Sequence, residues 1–135
     1  MNSAKIVVAM AASVVLVAGC ATGPSGEIAN PFAGLFQGSK AEQALAAGIK
    51  QFEEGEYADA IRSLQSSLDL GLARAADGAK AHKYLAFIHC VSGRQRPCRD
   101  EFRKAIEINP SMELEPSETG HPIWGPAFRS AKARK

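Results

Sequence analysis

The chain has 135 residues, a formal net charge of +2 and 46% hydrophobic residues. This length accommodates one small domain with an additional segment. The near-neutral charge gives no electrostatic basis for binding nucleic acid or an acidic substrate, so we expect no nucleic-acid partner. The sequence contains no nucleophile elbow, no phosphate-binding glycine loop and no distinguishable pair of catalytic carboxylates. We therefore predict no enzymatic activity, no catalytic residues, no cofactor and no small-molecule substrate.

The N-terminus combines a short positively charged stretch, residues 1–5, with an apolar run over residues 6–17. The run is too short to cross a hydrocarbon core of ~30 Å comfortably, and it closes in small residues directly before Cys20. This arrangement resembles a bacterial lipoprotein signal peptide. The resemblance implies that residues 1–19 are removed and that Cys20 is acylated. A secretory signal cleaved near Ala21 and a retained anchor helix are the alternatives.

The residue after Cys20 indicates which membrane holds the lipoprotein. Aspartate at this position favours inner-membrane retention in well-studied Gram-negative bacteria, whereas this chain has Ala21. The resemblance therefore implies a lipid-anchored protein of the outer membrane that faces the periplasm. The several acyl chains of a mature lipoprotein anchor it to the membrane effectively irreversibly, whereas a single acyl chain binds only marginally.

The segment after the lipidated cysteine is rich in glycine, proline and serine. Four glycines and two prolines between residues 21 and 39 interrupt any helical or strand period. We predict that residues 20–39 form a flexible tether. Three apolar residues in it either pack on the domain or bind a partner: Phe32, Leu35 and Phe36.

From residue 40 onward, an internal repeat predicts paired helices. The second-helix residues recur after 38 positions, with Gly55, Ala60, Leu64 and Leu68 matched by Gly93, Cys98, Phe102 and Ile106. Each unit has an apolar helix, a glycine turn and a second apolar helix. Small residues are expected where the helices cross, with Gly48 opposite Ala60 and Ala86 opposite Cys98.

Residues 55–61 and 102–110 resemble the turn and the repeat-ending run of the tetratricopeptide family. The resemblance implies an all-α fold, a short α-solenoid of two tetratricopeptide-like helix hairpins over residues 40–115. Because the usual period is about 34 residues, we expect roughly four extra residues between the units, within residues 71–78.

Residues 116–135 are predicted to be a C-terminal capping segment with a basic tail. A terminal repeat leaves one apolar face bare. We expect Ile123, Trp124 and Phe128 to cover that face, with a last short helix starting at residue 127. The alternative is that Trp124 stays exposed as a binding anchor. The basic residues of the tail are Arg129, Lys132, Arg134 and Lys135.

Two cysteines remain once Cys20 carries lipid, an even number for an oxidising compartment. The repeat places Cys90 near the end of one helix and Cys98 in the first turn of the next. A Cα separation of ~5–6 Å would allow a disulfide, and buried free thiols are the alternative. The spacing of His82, His89 and Cys90 matches no common zinc pattern, so we predict no metal site.

In tetratricopeptide proteins the first helix of each repeat lines a concave groove. The resemblance implies that the partner-binding residues here are Leu45, Ile49, Phe52, Lys80, Lys83, Tyr84 and Phe87. An apolar floor with a basic rim suits an amphipathic or extended peptide of some acidic character. The alternative is that the tether or the chain's own tail covers half of these side chains.

The signal peptide, the short tether, the two repeats and the ending over residues 120–129 together resemble the TssQ-like lipoproteins that accompany bacterial type VI secretion clusters. This resemblance implies a membrane-anchored periplasmic adaptor that binds another envelope or secretion-system protein. A pilotin-like lipoprotein for a secretin or pilus and a regulator of a cell-wall enzyme are the alternatives.

Overall fold

A computed structural model describes residues 38–133, and all regular structure in this range is helical. The helices are α1 (Lys40–Glu53), α2 (Tyr57–Leu70), α3 (Ala75–Val91), α4 (Gln95–Ile108), α5 (Pro116–Thr119) and α6 (Trp124–Lys132). The predicted all-α class is therefore confirmed for this part of the chain. None of these helices is long and apolar enough to cross a membrane.

Several predictions concern residues outside the described range. These are the signal peptide, the lipidated cysteine Cys20, the tether with Phe32, Leu35 and Phe36, and the tail residues Arg134 and Lys135.

Local sequence signals set the start of α1. Ser39 and Glu42 form a capping box, in which the Glu42 backbone N–H donates to Ser39 Oγ at 3.2 Å and the Ser39 N–H donates to Glu42 Oε2 at 2.7 Å. This pairing satisfies two backbone groups at the helix start that lack a partner within the helix. Ala41, Leu45 and Gly48 are spaced three or four residues apart and form the buried side of α1.

The helix pairs α1–α2 and α3–α4 have matching turns. Two backbone hydrogen bonds of 2.8–3.0 Å in the first turn recur 38 residues later at 2.9–3.1 Å in the second. They run from Gly55 to Phe52 and from Glu56 to Gln51, and then from Gly93 to Cys90 and from Arg94 to His89. Both glycines have positive φ angles, 80° and 73°, which a side chain would disfavour. The repeat read from the sequence is therefore present in the backbone of the turns.

The extra residues of the longer period lie partly in helix rather than in a loop. Only residues 71–74 separate α2 from α3, and α3 has 17 residues against 14 in α1. Asp77 is buried in the first turn of α3, where its carboxylate accepts from Arg74 Nε at 2.7 Å. Relative to α1 and the 38-residue period, α3 begins three residues early, at residues 75–77.

Where α1 crosses α2, one contact differs from the contact expected from the sequence. A Cβ atom on Gly48 would lie 2.7 Å from Leu64 Cγ and 3.1 Å from the Leu64 backbone nitrogen. Gly48 therefore packs most tightly on Leu64 rather than on Ala60, which is fully buried one turn earlier. The absence of a side chain at residue 48 allows the large Leu64 side chain to fill this crossing.

Helix α6 packs on α4 and runs in the same direction. Ile123 at its start borders a cleft with Arg99 near the start of α4, and Lys132 at its end is ion-paired with Glu113, beyond the end of α4. The connection after α4 must therefore run back along the molecule, carrying α5 past α3. Phe128 of α6 meets Phe102 edge to face, with ring centroids 5.4 Å apart.

Candidate partner-binding site

Helices α1 and α3 bring the predicted binding residues onto one side of the molecule. The Phe52 ring at the end of α1 lies 5.2 Å from the Tyr84 ring and 6.1 Å from the Phe87 ring of α3, measured between centroids. Lys80 is exposed, whereas the other predicted residues are buried or half-buried. We refer to this surface as the α1–α3 face. It divides into a covered half and an open half.

The covered half contains Phe52, Lys83, Tyr84 and Phe87. Trp124, the first residue of α6, stacks on Phe87 with ring centroids 4.1 Å apart and an interplanar angle of 20°. Phe87 is consequently only 1% exposed. The chain's own C-terminal segment thus contacts Phe52, Lys83 and Phe87, as in the alternative raised by the sequence. Tyr84 packs on the Phe52 and Phe87 rings.

An ion pair fixes the connecting segment on this half. Lys83 Nζ donates to Glu118 Oε1 at 2.6 Å, and the two side chains are only 12% and 13% exposed. The other oxygen of the same carboxylate accepts the Glu115 backbone N–H at 2.9 Å, in the capping box of α5. Lys83 is therefore already paired and does not form a free basic rim.

Trp124 is held between two rings. The His121 ring stacks on it with centroids 3.8 Å apart, and His121 Nδ1 accepts the backbone N–H of Trp124 at 3.3 Å. Trp124 packs on Phe87 and Phe128 packs on Phe102, so both rings lie against the second helix pair. Ile123 differs, because it is 38% exposed and borders the cleft between α4 and α6.

A close backbone contact positions the start of α6. A Cβ atom on Gly125 would lie 2.2 Å from the Thr119 carbonyl oxygen, so only glycine fits there. This approach lets the chain turn sharply between α5 and α6 and place Trp124 over Phe87.

The open half is a cleft of about 350 Å³ at the N-terminal ends of α1 and α3. It retains three of the seven predicted residues, Leu45, Ile49 and Lys80. Its other lining residues are Gly38, Glu42, Ala46, Arg74 and Asp77. The cleft has an apolar floor from α1 and polar side chains along one wall.

The charges around this cleft are mostly satisfied within the chain. Asp77 pairs with Arg74, and Glu42 serves the capping box of α1. Lys80 forms no ion pair with any residue of the range 38–133. An incoming ligand would therefore meet an apolar floor and one free cation.

The structure brings Cys90 and Cys98 to disulfide distance, with Cα atoms 5.0 Å apart. His82 lies elsewhere, with Nδ1 at 2.6 Å from Glu101 Oε2. Burial would raise the pKa of Glu101, but the hydrogen bonds from His82 and Lys104 outweigh it and hold the pKa below its usual value. The described residues contain no group of three side chains placed to bind a metal ion.

Sequence reasoning missed Glu118 and His121 as parts of this face. Glu118 follows Glu115 by three residues, which is the spacing of a capping box, and this signal was available. Its contact with Lys83, 35 residues earlier, left no local signal. No family model, no curated protein and no solved structure matches the chain.

Proposed function

We propose that the protein is a membrane-anchored periplasmic adaptor, accessory to type VI secretion, that binds another envelope or secretion-system protein through the open half of the α1–α3 face. Lipid on Cys20 would hold it at the outer membrane. The matched turns and the equal bounds of α2 and α4, 38 residues apart, support a short solenoid of two tetratricopeptide-like hairpins. A scaffold of this kind presents a surface to a partner.

The open cleft is the observation that carries this proposal. Leu45, Ala46 and Ile49 form an apolar strip beside the free cation of Lys80. Apolar pockets with a few placed polar groups are typical binding sites, and this chemistry suits a peptide with apolar anchors and an acidic residue. The covered half does not contribute, because Trp124 and Glu118 already occupy it.

Two adjacent residues of α1 offer a matched test of the cleft. Ala46 lines it, whereas Ala47 is exposed elsewhere on the helix. Ala46→Glu places a carboxylate beside Lys80 and should abolish capture of the partner. Ala47→Glu adds the same charge outside the cleft and should leave capture unchanged. The measurement is affinity capture of the full chain from membranes, followed by mass spectrometry.

The identity of the captured protein decides the assignment. A secretion-system component retained by wild type and Ala47→Glu but lost with Ala46→Glu supports the proposal. A secretin or a cell-wall enzyme with the same pattern would replace type VI secretion as the context. Equal capture by all three chains, or capture of none, would refute binding at the cleft.

The anchor is tested separately. Acylation needs the thiol of Cys20, so the wild-type protein should incorporate labelled palmitate and Cys20→Ser should not. Equal incorporation by both proteins, or none by the wild type, would contradict lipid anchoring at Cys20.

A further inference from the structure

The two matching turns carry opposite charges at the same end of the helices. Helices α1 to α4 alternate in direction because short connections join each to the next, so both turns lie at one end. The first turn holds Glu53, Glu54 and Glu56, and the second is flanked by Arg94, Arg96 and Arg99. Glu56 and Arg94 occupy the same backbone position, the residue before α2 and α4 respectively. We call this surface the turn end.

Few of these charges are compensated within the described part of the chain. Lys50 pairs with Glu54 at 3.7 Å, whereas Glu53 and Glu56 have no ion-pair partner there. The three arginines have none either, and no acidic residue lies in the first turn of α4. Cations at a helix N-terminus oppose the helix dipole. Arg94 and Arg96, at the start of α4, therefore oppose the helix dipole and are stabilised when an anionic group contacts them.

Two exposed apolar side chains lie at helix ends beside the charged turns. Tyr57, at the start of α2, is 39% exposed, and Val91, at the end of α3, is 36% exposed. The turns themselves are well defined by the matched backbone hydrogen bonds. The cysteine pair also ties the end of α3 to the first turn of α4 and so braces the basic turn. The turn end thus has an acidic turn, a basic turn and an exposed apolar side chain beside each.

We infer that the turn end binds the turn end of a second copy of this chain. A surface with one acidic and one basic side is complementary to itself when a two-fold axis passes through its middle. Each acidic turn then faces the basic turn of the other copy, twice in the dimer, and the exposed apolar side chains beside the turns add contact area. Charge complementarity sets the orientation of such a contact and makes it sensitive to salt.

Charge reversal of each turn tests this contact. Variant A carries Glu53→Arg and Glu56→Arg, and variant B carries Arg94→Glu and Arg96→Glu. Each gives the two turns net charges of the same sign, so each should associate with itself about tenfold more weakly or worse than wild type. A 1:1 mixture of A and B should form a heterodimer, because the two surfaces are complementary again.

The measurement is sedimentation equilibrium on the mature chain, residues 20–135 with Cys20→Ser, which carries neither the apolar run of residues 6–17 nor the lipid. It is made at roughly 10 mM and roughly 1 M salt, where the Debye length is about 30 Å and 3 Å. Asp69→Arg, at the opposite end of α2, is the control and should associate like wild type. Circular dichroism checks that each variant is folded.

The outcomes are distinct. A wild-type dimer that weakens in high salt, with loss in A and in B and recovery in the mixture, supports the contact. A wild-type chain that is monomeric at low salt overturns it. A dimer that is indifferent to variants A and B, or a mixture that fails to associate, also overturns it, because the contact then lies elsewhere.

Discussion

The two helix pairs share a backbone but are stabilised by different interactions. In the α1–α2 pair, Gly48 brings the helices close enough for Leu64 to fill the crossing. In the α3–α4 pair, a cysteine pair braces the turn, and Phe102 lies between Phe87 of α3 and Phe128 of α6. The two pairs therefore have a glycine at the same place in the turn, but different side-chain contacts stabilise each pair. The comparison can be tested pair by pair.

The largest effect is expected from the aromatic core of the second pair. Phe102→Ala removes the ring contacts with both Phe87 and Phe128, so it should lower the free energy of unfolding by about 3–5 kcal/mol. Leu64→Ala, at the equivalent position of the first pair, should cost about 2–5 kcal/mol and leave the packing of α6 intact. Urea denaturation measures the free energy, and Trp124 fluorescence reports on α6. If the Leu64→Ala variant is folded but its Trp124 fluorescence is shifted, the packing of α6 depends on the first pair as well, which contradicts the prediction.

The cysteine pair is expected to come next. In a Cys20→Ser background, replacing Cys90 and Cys98 by alanine opens a loop of about nine residues and should cost roughly 2–3 kcal/mol. The alanine at residue 98 matches Ala60 of the first pair, so the change makes the two pairs more alike.

A reductant provides the control for the bridge. Dithiothreitol should lower the stability of the parent by a similar amount and leave the double variant unchanged. Equal stability of the parent with and without reductant would show that the bridge contributes nothing.

The crossing of α1 and α2 should give a smaller effect. Gly48→Ala forces a methyl group against Leu64 and should cost about 1–3 kcal/mol, in spite of the better helix propensity of alanine. The reverse change at the equivalent site, Ala86→Gly, should cost about 0.5–1 kcal/mol through added backbone freedom. Thermal unfolding of both variants measures the difference. An increase in stability for Gly48→Ala would mean that Leu64 moves aside freely.

The smallest effect concerns pH. Burial and then the charge of Arg94 lower the pKa of His89. The unfolded chain therefore binds this proton at a higher pH than the folded chain. The stability that this shift contributes is fully present above the unfolded-state pKa of about 6.5. It is lost as the pH falls through the lower pKa of the folded state.

The first pair supplies the matched variant for this test, because Gln51 occupies the position equivalent to His89. His89→Gln should flatten the stability profile just below pH 6.5. Both chains should still lose stability below about pH 4.5. The lowered pKa of Glu101 contributes stability that is lost only at this more acidic pH. Parallel profiles for the parent and His89→Gln near pH 6 would contradict the role of His89.

The parts of the fold that sequence reasoning predicted depend on local spacing. The turn glycines Gly55 and Gly93, the helices around them and the proximity of Cys90 to Cys98 all follow from a 38-residue period and short connections. The division of the α1–α3 face could not be predicted in the same way. It depends on the path of residues 109–123, which is set by a contact between Lys83 and Glu118 and by a backbone approach at Gly125.

The stacking of Trp124 on Phe87 also has a consequence for the order of folding during synthesis. The aromatic side of α3 is completed by Trp124, which leaves the ribosome after both helix pairs. Both helix pairs can form before that point, since each is made of neighbouring segments. A chain cut before residue 116 would keep its turns but leave Phe52 and Phe87 uncovered. The uncovered rings would mark it as incomplete to chaperones and proteases that recognise exposed aromatic surface.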